Sequence, residues 1–239
     1  MGNIIPYLPI LTTVLAIIFS YFLIKHYRSR NPSIYLLWWT IGVITYGAGT
    51  LTESINTLLG WNEFTFRCWY VFGALLGGAP LAQGTVYLLL SKRIADRLAF
   101  FLITTVVIAS IFVFLSPLDQ SLVKNNRLSG AVLEWKWIRY IPPFINSYAF
   151  IFLFGGAVYS AWKYYVLKRG NKRILGNIYI AIGALLPGIG GMFTRYGKVE
   201  VLYVTELFGL MFIYIGYLQI RSDKTESIHK PQQVIENPS

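Results

Sequence analysis

Charge is scarce in this chain, and what there is avoids the apolar stretches. Only 13% of its 239 residues are charged, against about 25% in a soluble domain. Cysteine is nearly absent. Cys68 stands alone, which excludes an internal disulfide and any multi-cysteine metal site. The two histidines, His26 and His229, lie near opposite ends of the chain and argue against a histidine-rich metal centre. No lysine falls within a long apolar run, so a Schiff base to retinal in a seventh helix is excluded. The chain also lacks His-Glu-x-x-His, Gly-x-Ser-x-Gly, a phosphate-binding loop and paired intramembrane aspartates. No obvious haem ligand lies in a span, since neither histidine falls within an apolar run. The expectation is a protein without a cofactor or resident metal and without enzymatic activity.

What the chain has instead is hydrophobic length. Its residues are 55% hydrophobic and its mean hydropathy is +0.54. A hydrocarbon core about 30 Å thick needs roughly 20 apolar helical residues to span it. Seven runs meet or approach that length: 4–24, 34–52, 68–91, 98–117, 140–162, 174–194 and 201–220. Inside lipid every backbone amide must be paired within its own segment, so these runs read as helices. The fold class is all-α, a polytopic membrane protein with seven transmembrane helices. Residues 1–221 form one membrane domain, and 222–239 form a short polar tail expected to be disordered.

The net charge of +11 invites a nucleic-acid reading, but the basic residues sit in short connections, where anionic lipid head groups attract them. The lipid bilayer is the expected partner, and no nucleic acid is. Fourteen of the 21 Lys and Arg residues fall on the side reached after the odd-numbered spans, Lys25, Lys92, Lys168 and Arg221 among them, and seven on the other. The positive-inside rule therefore places the amino terminus outside and the tail in the cytoplasm of a multi-pass plasma-membrane protein. The first span has no basic residue before it and a cluster after it, the reverse of a signal peptide, and reads as a retained anchor. His26, at its inner end, reads as an interfacial side chain. In the long fourth connection, Trp135 and Trp137 read first as interfacial anchors and second as part of a lid.

A faint repeat is visible. The segment from Asn31 to Gly49 resembles the one from Asn171 to Gly190, each preceded by a basic, Tyr-containing helix end. Spans one to three would match spans five to seven in parallel orientation, with the fourth as a linker, a 3+1+3 arrangement of a kind found among transporters.

Chemistry should concentrate at the few charges placed at membrane depth. Glu53, in the outer third of the second span, and Glu206, early in the seventh, fall at similar depth. Arg67 opens the third span and Arg195 closes the sixth on the same side. A carboxylate at helix centre costs roughly 2.5–3.5 kcal/mol on insertion scales, so it seeks a partner or water. Two compatible readings follow: interhelical ion pairs of Glu53 and Glu206 with Arg67 and Arg195, or a polar pocket for a small ligand or ion. Gln83 on the third span adds a hydrogen-bonding group. Gly73-x-x-x-Gly77 and the glycines around Pro187 mark close helix contacts, and Pro80 and Pro187 are expected to kink their helices.

The order of landmarks resembles a known arrangement. Tyr27-Arg28-Ser29-Arg30, Glu53, and Arg67-Cys68-Trp69-Tyr70 before a glycine-rich helix mark the first half. Pro142-Pro143, the connector from Lys168 to Arg173 and Gly183-Ala184-Leu185-Leu186-Pro187 mark the second. This is similar to the seven-helix amino-terminal sensor region of many bacterial histidine kinases and diguanylate cyclases, over nearly the whole chain to about Arg221. The resemblance implies a sensor or receptor that binds a small molecule or senses the membrane. In that family a cytoplasmic signalling domain usually follows. Here a short tail follows Arg221, so the implied output is a membrane or cytoplasmic signalling partner. A small secondary transporter or channel using an intramembrane carboxylate is the alternative. An accessory subunit docking through the third span is a further one.

Overall fold

The computed structural model describes residues 4–29, 33–123, 127–168, 170–194 and 196–229, with side chains to residue 223. Seven helices are long and apolar enough to cross a membrane: α1 (Ile5–Ser29), α2 (Ile34–Leu59), α3 (Glu63–Leu89), α4 (Lys92–Leu115), α5 (Lys136–Val166), α6 (Asn171–Thr194) and α7 (Val199–His229). Each expected span is present. Several helices begin before the apolar run that marks them, because a helix end reaches into polar surroundings where its free amides can be capped or hydrated. The last helix continues to His229, past the boundary drawn at Arg221, and residues 230–239 lie outside the described part.

Local chemistry sets the helix ends. Pro6 sits in the first turn leading into α1, where its missing amide costs nothing. Gly60 ends α2 at φ 83°, a backbone conformation open to glycine and strained for other residues. Asn62 then starts α3, its Oδ1 accepting the Thr65 amide at 2.8 Å. Pro142 and Pro143 fall in the first turn of the α-helical part of α5, where proline is tolerated.

Two of the helices are irregular. In α3, residues Tyr70–Leu76 wind as π-helix, and the chain breaks at Gly77 (φ 40°) and Gly78 before a new helix starts at Ala79 with Pro80 in its first turn. The kink expected from Pro80 is thus a full interruption: a proline in a first turn starts a helix and does not bend one. In α5, Phe150–Gly155 wind as π-helix. By contrast, α6 runs unbroken through Pro187.

The helices form a ring. α1 packs on α2, α2 on α3, α3 on α5, α5 on α6, α6 on α7, and α7 closes against α1. α4 stands outside, against α3 and the start of α5. It exposes Phe100, Phe101, Ile103, Val107, Ile108 and Ile111, an apolar surface suited to acyl chains. The tightest seam joins α6 to α7. Gly176, Gly183 and Gly190 recur every seven residues on α6 and face Gly216, Gly209 and the Leu202–Thr205 turn on α7. A Cβ on Gly183 would stand 2.5 Å from the Gly209 carbonyl, and one on Gly176 2.8 Å from the Gly216 carbonyl. Bare backbones therefore touch.

The long connection between α4 and α5 is folded. The Asp119 amide donates to Val132 O and that of Glu134 to Pro117 O, and Leu128, Val132, Leu133 and Ile138 are buried. Trp135 and Trp137 both pack their rings on Phe112 and so hold this connection on α4. Arg127 extends across to the start of α7, donating to Gly197 O in the preceding turn at 2.6 Å and pairing with Glu200 at 3.3 Å.

Candidate functional site

The face at which α1 begins also holds the end of α2, the start of α3 and the start of α7. Along α2, Tyr46, Gly49, Glu53 and Asn56 recur at helical spacing and are all buried. Gly49 lies against Gly73, so α2 and α3 approach closely enough for the Trp69 indole, one turn before Gly73, to reach across. Trp69 Nε1 donates to Glu53 Oε1 at 3.0 Å.

From α7, Glu206 turns toward the same point. Its backbone carbonyl accepts the Tyr46 hydroxyl at 3.0 Å. Its carboxyl faces that of Glu53, close enough for a side-chain hydrogen bond between them. Tyr203, one turn earlier on α7, is buried beside both. Glu53 is 3% exposed. The Oε2 atoms of Glu53 and Glu206 are both buried without a hydrogen-bond partner. Two acidic groups meet here inside the bundle, walled by Trp69, Tyr46 and Tyr203, and neither is ion-paired among the described residues.

The other expected members of the site lie elsewhere. Arg67 turns outward to α4, where one guanidinium nitrogen donates to the carbonyls of Val113 and Ser116. The last carbonyls of a helix carry partial negative charge and lack partners, so they compete for a cation as a carboxylate does. The ion pair expected between Arg67 and a glutamate is absent, for this reason. Arg195 lies outside the described residues. Gln83 is fully buried on the far half of α3, donating to Ala95 O at 2.9 Å and accepting from the Tyr148 hydroxyl. It ties α3 to α4 and α5 and does not touch the glutamates.

Sequence reasoning overlooked Trp69, Tyr46 and Tyr203 as the neighbours of the acids. Helical spacing was the available signal: Tyr46 precedes Glu53 by two turns and Tyr203 precedes Glu206 by one, each on its glutamate's face. His26 departs from the interfacial reading too. It is buried, with Nδ1 2.9 Å from the Tyr217 hydroxyl, and joins α1 to α7 at the opposite face. Nearby, Arg173 of α6 pairs with Asp223 of α7 and lies over the Tyr164 ring of α5.

In chemical terms the site can accept hydrogen bonds or positive charge from whatever lies between its two acids. Among the described residues no group of three or more His, Cys, Asp or Glu is placed to hold a metal ion. No family model matches the sequence, and no curated protein or solved structure matches it.

Proposed function

We propose that this integral membrane protein is a non-enzymatic sensor of the receptor type, in which the state of the Glu53–Glu206 site is read out along α7. The observation that carries this reading is that one continuous helix bears Glu206 near its first end and Tyr217 and Asp223 near its other. A change in what holds Glu206 to α2 acts on a rod whose far end is fastened to α1 and α6 at the opposite face. On the positive-inside argument that far face is cytoplasmic, where a signalling partner would meet it. The resemblance to bacterial sensor regions points the same way.

The test is amide hydrogen exchange in lipid nanodiscs. Glu53→Gln and Glu206→Gln are expected to alter exchange across residues 210–223 while leaving residues 95–110 of α4 unchanged. Identical exchange in wild type and both variants removes the sensor reading.

A second reading, a small cation-coupled carrier, is favoured by the interruption of α3 at Gly77 and Gly78, since broken helices beside buried acids are a feature of secondary transporters. Reconstituted vesicles separate the two. Uptake driven by a proton or sodium gradient, and lost on neutralising either glutamate, is expected of a carrier and not of a sensor.

A further inference from the structure

Among the described residues, the ion pairs Lys92–Asp96, Arg127–Glu200 and Arg173–Asp223 each give an acid a basic partner. The two acids at the ring's interior have none. Glu53 takes one hydrogen bond, from an uncharged indole. A fully ionised carboxyl is an acceptor only, so two carboxyls can hydrogen-bond to each other only with a proton between them. Two like charges side by side in a low dielectric repel strongly unless a positive charge intervenes. The Oε2 atoms are shielded from water and have no donor, and a buried polar group in that condition costs stability unless something fills the role.

We propose that Glu53 and Glu206 form a binding site for one compact positive charge, a proton or an alkali-metal ion, held between α2 and α7. The inference deepens the sensor reading by naming the class of ligand. A compact charge fits because both Oε2 atoms are shielded from outside contact, although Glu206 as a whole is only half-buried. Tyr46 on α2 and Tyr203 on α7 are the ionisable groups that face the pair. Arg127, from the α4–α5 connection, and Glu200 on α7 face Tyr203. On α3 the neighbour is the indole of Trp69, and Arg67 is engaged with α4. The described parts of α1 and α6 bring no ionisable side chain to the pair. Occupancy fastens α2 to α7, and vacancy sets the two acids repelling.

The experiment is thermal unfolding of the purified protein in nanodiscs, in two arms. In the first, pH is varied from about pH 5 to about pH 9 in choline chloride. In the second, sodium or potassium replaces choline at fixed ionic strength and alkaline pH. A ligand that binds only the folded state stabilises it in proportion to the logarithm of its concentration, so a tenfold rise in the bound ion should lift Tm by about 3–6 °C near saturation. A rise on acidification alone identifies the proton, and a rise with sodium or potassium identifies the metal ion. The responsive arm should be flat in Glu53→Gln/Glu206→Gln. Because that variant removes one buried and one half-buried acid, infrared spectroscopy supplies a second readout. A carboxylic-acid carbonyl band present in wild type and lost in the double variant supports a held proton.

Two results overturn the proposal: a wild-type Tm indifferent to protons and alkali ions alike, or a dependence that survives in the double variant. A clear titration without any change in exchange at the far end of α7 keeps the ion site and removes the sensor. A change at α7 with no titration does the reverse.

Discussion

Single residues in this protein are placed by which unpaired groups lie within reach. Trp69 and Trp61 make the point as a pair. Both indoles sit near the start of α3, but Trp69 donates to Glu53 while the buried Nε1 of Trp61 has no partner. Trp69→Phe leaves a buried carboxyl oxygen without its donor and should destabilise the protein by about 1–3 kcal/mol. Trp61→Phe removes a buried donor that bonds nothing and should cost little or stabilise. Thermal unfolding of the two variants in the same detergent checks the difference. Arg67 shows where residue-level reading fails. Formal charges are written in a sequence, whereas the partial charges on helix-end carbonyls emerge only once α4 ends beside α3. The glutamates were legible because a carboxyl at membrane depth has few places to turn. Tyr46 and Tyr203 were legible only with helical spacing applied to each acid's own face, and Trp69, on α3, carried no such signal.

Among the elements, the spans were legible and their irregularities were not. An apolar run of about 20 residues admits one secondary structure in lipid. The π-helical segments of α3 and α5 have no such signature, because they answer to neighbours that the run itself does not name. Glycine spacing sits between these cases. The small residues of α6 announced close contact, but only the partner helix separates those that make it from those that do not. Gly183 meets the Gly209 carbonyl, while a Cβ added to Gly188 or Gly191 would meet nothing within 4 Å. Gly183→Ala should therefore force α6 and α7 apart and cost about 1–3 kcal/mol. Gly188→Ala should be neutral, or stabilising by up to about 1 kcal/mol through the gain in helix propensity. Denaturant or thermal unfolding of the two variants side by side measures the contrast.

On the scale of the molecule, the ring of six helices with α4 outside is what the sequence could not order, since apolar runs carry no statement of who packs on whom. The placement of the basic residues does state an orientation, and it can be tested. With Cys68 replaced by Ser, Lys198→Cys should react with a membrane-impermeant maleimide on intact cells, and Arg93→Cys only after lysis. Both positions are exposed and at opposite faces. Reversed labelling would invert the protein in its membrane and put the glutamate pair near the cytoplasm.

The α6–α7 seam also bears on movement. Where side chains interleave, one helix can shift along its neighbour only by climbing over knobs. At Gly183–Gly209 and Gly176–Gly216 such knobs are present: Ile213 and Ile220 of α7 seat on Gly183 and Gly176, and Pro187 and Ile180 of α6 seat on Gly209 and Gly216. The seam acts as a keyed joint: it confines α7 sideways and also fixes its register along α6, so that the two helices move as a pair.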